Sequence, residues 1–118
     1  MFIKTAAYGS ENFYDQAVDK FNDKKFDDSK FLFHRNIVYN PKDAKSYLYL
    51  AKSYQSVSQL DSAMIYYDSI MYFTKSIAAA ESKYHICEIA YERKNYELCE
   101  SLIMELVQQK PSKATVLR

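Results

Sequence analysis

Few side chains in this sequence have the type and spacing to do chemistry. The histidines are His34 and His85, the cysteines are Cys87 and Cys99, and two adjacent carboxylates stand at Asp27-Asp28. A metal site needs several such ligands at short, fixed spacing. Neither histidine has a second His, Cys or carboxylate placed that way, and there is no His-Glu-x-x-His or Cys-x-x-Cys. Asp27-Asp28 opens a helical segment, where carboxylates meet the positive end of the helix dipole, a structural role that accounts for them. No serine has the glycine flanks of a nucleophile elbow. The single glycine, Gly9, excludes glycine-rich phosphate cradles and dinucleotide fingerprints, which need at least two. No catalytic constellation, metal site or cofactor is expected, and the chain reads as non-enzymatic.

Composition narrows the remaining classes. The 118 residues are 48% hydrophobic and 26% charged with a net charge of +1, the profile of one soluble globular domain. So balanced a charge gives no field to gather nucleic acid or an acidic membrane. One Gly and two Pro leave few tight turns for a many-stranded β architecture. The most apolar window, from Ala63 to Phe73, is too short to cross a bilayer, which takes about 20 residues. Met1–Ser10 lacks the charged start and long apolar stretch of a secretory signal. The expectation is a chain without membrane insertion, cytoplasmic by default. A periplasmic or membrane-tethered location would follow only from a leader removed before Met1.

The elements that must position any site are helices. Apolar residues recur three, four or seven apart at Phe13, Ala17, Phe21, at Tyr47, Leu50, Ala51, Tyr54, and at Leu98, Leu102, Leu106. Short polar punctuation separates six predicted helices at roughly 11–24, 27–40, 43–57, 60–74, 77–93 and 96–110. Asp43 and Asn95 are expected N-caps, and Pro41 and Pro111 stop the helices before them. The pattern also repeats. Phe26, Ser29, Phe33 and Pro41 are matched 34 residues later by Leu60, Ala63, Tyr67 and Lys75, and 36 further on by Tyr96, Cys99, Ile103 and Pro111. Within each unit small residues stand twelve apart, as Ala17 and Ser29, Ala51 and Ala63, and Cys87 and Cys99. Small side chains there let two antiparallel helices approach closely.

The middle unit, Tyr47-x-x-Leu50-Ala51-x-x-Tyr54 followed by Ala63-x-x-x-Tyr67, resembles the tetratricopeptide repeat family, in a degenerate form reminiscent of Bacteroidetes-type bacterial arrays. The first unit departs from the pattern with polar Gln16 and Lys20. The third departs with Lys83 at its bulky opening position. The resemblance implies an all-α fold, an α-solenoid of three antiparallel helix pairs in a right-handed superhelix. Its units would cover about 11–43, 44–77 and 78–111, flanked by an N-terminal segment, 1–10, and a tail, 112–118, that opens like another helix. It also implies a concave groove along the first helix of each unit. Carried over residue by residue, that groove would present Tyr14, Val18 and Phe21, then Lys45, Leu48, Lys52 and Gln55, then Glu81, Tyr84, Glu88 and Tyr91. Apolar anchors among scattered charges suit a peptide or helix of a protein partner. Tyr14 and Val18 replace the Lys and Asn with which some family members clamp a C-terminal carboxylate, so that ligand is disfavoured.

Several alternatives stay open at the level of sequence. The repeat alignment makes Cys87 and Cys99 neighbours, either as two small reduced thiols or as a disulfide suited to an oxidising compartment. Ile103, Leu106 and Val107 leave an uncovered face on the last helix. A longer array, self-association through that end, or a capping partner would each account for it. Two non-enzymatic readings stand side by side: an interaction scaffold, and a sensory or regulatory segment of a larger bacterial regulator or lipoprotein.

Overall fold

A computed structural model describes residues 13–109. Helix α1 covers 13–22, followed by α2 (Phe26–Tyr39), α3 (Ala44–Ser56), α4 (Leu60–Phe73), α5 (Ile77–Glu92) and α6 (Tyr96–Gln109). The described residues contain no strand, and the fold is all-α. These bounds fall within two residues of the periodicity reading wherever both ends are described; the start of the first predicted helix, the end of the last, and Pro111 lie outside the described residues.

The helices form three antiparallel hairpins joined by one turn used three times. Lys24, Ser58 and Lys94 each adopt the left-handed conformation, with φ of 62°, 63° and 64°. Their N–H groups donate to the carbonyls of Phe21, Gln55 and Tyr91 at 3.0, 3.0 and 2.9 Å. The next residues, Lys25, Gln59 and Asn95, donate five residues back to Lys20, Tyr54 and Ala90 at 2.8, 2.9 and 2.7 Å. The second helix of every hairpin opens with an acidic first turn, Asp27-Asp28, Asp61 and Glu97, which offsets the dipole where it is most positive. Caps are more varied. The Asn95 side chain accepts from the Leu98 N–H at 3.3 Å, and Ser76 accepts from Ala78 at 3.2 Å. Asp43 occupies the N-cap position of α3, and its carbonyl accepts from the Tyr47 N–H at 3.2 Å, but its side chain caps no backbone N–H. Its carboxylate instead accepts from the Ser46 hydroxyl at 2.7 Å, because Ser46 one turn in competes successfully for it.

Small residues meet inside each hairpin. Ser29 Oγ donates to the Ala17 carbonyl at 3.1 Å, Ala51 and Ala63 lie fully buried in one core cluster, and Cys87 and Cys99 approach to 4.5 Å between Cα atoms. Each hairpin then packs on the next, α2 on α3 and α4 on α5, with α3 also touching α5. Helix α3 is therefore covered on two sides. Leu50 joins Ala17 and Phe33 in one core cluster, while Leu48 joins Tyr67, Ile70, Ile86, Ile89 and Leu102 in the other. Residues two apart on a helix point to nearly opposite sides, so a helix between two neighbours needs apolar residues at both.

The seams between hairpins repeat as well. Phe33 stacks on Tyr49 with ring centroids 5.3 Å apart, and Tyr67 stacks on His85 at 5.2 Å. Phe33 and Tyr67 are equivalent in the repeat and both are wholly buried. Burying a side chain of this size contributes roughly 1.5–3 kcal/mol. Polar pairs extend the first seam in the same antiparallel register: Ser29 with Ser53 at 3.4 Å, and Asn36 Nδ2 donating to Ser46 Oγ at 2.7 Å. None of the buried polar side-chain atoms among the described residues lacks a partner.

Candidate functional site

The surface predicted to bind a partner runs along α1, α3 and α5, and its residues separate into three groups. Tyr14 and Phe21 turn inward. The Tyr14 ring meets Phe33 and Tyr49 edge-on at 5.9 and 6.2 Å, and Phe21 meets Phe26 and Tyr49 at 5.4 and 5.1 Å. Val18 packs against the same cluster, so these three seal the joint between α1, α2 and α3. Leu48 is placed in the core rather than on the open surface, because α4 and α5 close over that side of α3.

A second group comes together across α3 and α5. Lys52 Nζ pairs with Glu81 at 2.9 Å, and Gln55 Nε2 donates to Glu88 at 3.3 Å. Gln55 in turn accepts from the buried Tyr67 hydroxyl at 2.7 Å. His85 joins both carboxylates, 2.8 Å from Glu88 and 3.7 Å from Glu81, while its ring lies on Tyr67. Tyr67 is held well above the usual tyrosine range by burial and then by the nearby Glu88 and Glu81 carboxylates. Burial pushes the Glu88 carboxyl up, but hydrogen bonds from His85, Gln55 and Tyr84 outweigh it and hold Glu88 below its ordinary value. The net effect fixes a carboxylate at neutral pH between two helices, with its lone pairs shared among donors from both. That arrangement locks the spacing of α3 against α5 and presents fixed charge to solvent.

The third group is exposed. Lys45, Tyr84 and Tyr91 lie open to solvent, with Glu81, Tyr84, Glu88 and Tyr91 following one another along one side of α5. Tyr91 stands at the far edge, where its ring meets Tyr96 at 5.5 Å and lines a shallow cleft with Glu97, Glu100, Ile103 and Met104 on α6.

Sequence reasoning did not pick out His85 and Tyr67 as the centre of this network. The signal present was Glu81-x-x-x-His85-x-x-Glu88, which puts two carboxylates one turn either side of an imidazole. Among the described residues no group of three or more His, Cys, Asp or Glu could hold a metal ion. His34 sits half-buried between Tyr54, whose hydroxyl is 2.9 Å from Nε2, and Tyr66, which it meets edge-on at 5.6 Å. Cys87 and Cys99, neighbours by the repeat alignment, are joined as a disulfide.

No protein-family model matches this chain, and no curated protein matches it. No helix among the described residues is long and apolar enough to cross a membrane.

Proposed function

We propose that this chain is a non-enzymatic interaction scaffold of the tetratricopeptide-repeat kind, in which stacked hairpins hold a peptide or helix of a protein partner. One observation carries the reading. The cross-links Lys52–Glu81 and Gln55–Glu88 tie the first helices of two successive hairpins edge to edge, and Tyr84 and Tyr91 project beside them. A surface braced in this way loses little conformational freedom when something docks on it, so most of the contact energy appears as affinity. Exposed tyrosines beside fixed charges supply rigid amphipathic anchors with a polar rim. The binding set on this reading is Lys45, Lys52, Gln55, Glu81, Tyr84, Glu88 and Tyr91. Tyr14, Val18, Phe21 and Leu48 support it from beneath.

The test is affinity capture with the whole chain as bait, followed by titration of the captured partner against wild type and a Tyr84→Ala/Tyr91→Ala variant. Loss of two anchor rings should weaken binding by at least about tenfold with helicity unchanged. A partner held equally well by the double variant would refute the assignment of this surface.

A further inference from the structure

We propose that the open side of α6 is a docking surface for a basic amphipathic helix that runs antiparallel to α6 and lays an aromatic ring on Ile103. This surface meets the one on α3 and α5 only at Tyr91, and the proposal does not rest on that reading.

The fold itself shows twice what covers this position. Phe33 on α2 and Tyr67 on α4 are each wholly buried by a ring from the helix that follows, Tyr49 on α3 and His85 on α5. Ile103 on α6 is their equivalent in the repeat, yet it is 47% exposed, and Tyr96, Met104 and Val107 beside it are exposed as well. These residues form one stripe along α6 at helical spacing. With Tyr91 they make an apolar patch, most of which lines the shallow cleft already described.

Charge selects the occupant. Helix α6 carries Glu97, Glu100 and Glu105 and no basic residue between Tyr96 and Gln109; Glu105 is paired with Lys83 of α5 at 3.3 Å, which leaves Glu97 and Glu100 to face an occupant. Glu97 and Glu100 border the apolar cleft. A second copy offering its own α6 would set these carboxylates against each other. A second copy offering α1 fits no better. The positions of α3 that seal its seam, Tyr49, Leu50 and Ser53, and those of α5, His85, Ile86 and Ile89, correspond in α1 to Asp15, Gln16 and Asp19, all exposed. Among the described residues the outer faces of α1 and α6 are thus chemically unlike, the first polar and the second apolar and acidic. A helix built like α3 meets every requirement. With Tyr49 over Ile103 in the antiparallel register of the existing seams, its Lys52 would face Glu100.

The probe is a synthetic, helix-stapled copy of residues 44–56 with blocked ends, titrated into the whole chain and followed by fluorescence anisotropy. Saturable binding is expected, weakening as salt rises. It should fall at least about tenfold with Ile103→Asp in the protein, and by a similar factor with Tyr49→Ala or Lys52→Glu in the peptide. Because Ile103 is half-exposed, the Ile103→Asp protein should keep its circular dichroism spectrum. Tyr84→Ala should leave this binding unchanged, which separates the result from the surface on α3 and α5. The proposal is overturned if the peptide does not bind, or if it binds equally to the Ile103→Asp protein. It is also overturned if the chain alone forms a dimer that Ile103→Asp dissolves.

Discussion

Replacing Lys24, Ser58 and Lys94 with glycine should stabilise this protein. All three side-chain-bearing residues sit near φ of 63° in the same hairpin turn, a region that glycine enters freely. For an L-residue the left-handed conformation costs roughly 1–2 kcal/mol, through the clash of Cβ with the following carbonyl. Glycine removes that cost but returns about 0.5–1 kcal/mol, because the unfolded chain gains freedom at the substituted position. The net gain is about 0.5–1 kcal/mol per turn. The turn hydrogen bonds come from the backbone and survive the change, and the three turns share no hydrogen-bond partners. The gains should therefore add, to about 1.5–3 kcal/mol in the triple variant. For a domain of this size that raises Tm by about 6–12 °C. The assay is urea and thermal denaturation followed by far-ultraviolet circular dichroism, with Ser58→Val as the opposing control, since a β-branched residue tolerates this conformation least. An unchanged or lowered midpoint in the triple variant would refute the reasoning.

Two further outcomes follow from the third hairpin and from the α2–α4 aromatic cluster. Reducing Cys87–Cys99 should lower stability by roughly 2–3 kcal/mol, the effect of opening a short loop, and denaturation curves with and without reductant would show it. Burial and the neighbouring Lys30 ammonium hold His34 below the ordinary imidazole value. The folded state thus resists a proton that the unfolded chain accepts, so stability should fall as pH drops below about 6.5 and level off beneath the folded value. His34→Gln should flatten that part of the profile, and equal slopes in both proteins would exclude His34 as the source.

Most of the fold was legible because helices announce themselves by period and this chain repeats. The small pairs Ala17/Ser29, Ala51/Ala63 and Cys87/Cys99 mark the close approach within each hairpin in the sequence itself. Partners across the seams were much less visible. Leu48 and Tyr84 both fit a groove position by register, yet one lies in the core and the other in solvent, because the rotation of each hairpin on the next decides which residues are covered. Tyr14 and Phe21 look like anchors by type but are consumed by Tyr49. The Lys52–Glu81 and Gln55–Glu88 links join residues 29 and 33 positions apart, beyond the reach of any helical periodicity. The turn conformation was hidden for another reason: the sequence places Lys, Ser and Lys where glycine would have signalled it.

The first seam carries Ser29 against Ser53 and Asn36 against Ser46, whereas the corresponding positions of the second are Ala63 with Ile89 and Ile70 with Ser82. The two joints are therefore not interchangeable. Excising the middle hairpin to bring α2 directly onto α5 would set the buried Ser29 hydroxyl against the aliphatic Ile89 in place of Ser53. Shuffling units in this protein, by recombination or by a protein engineer, therefore meets a matching rule written in hydroxyl and amide groups, and order along the chain is enforced by chemistry at the joints.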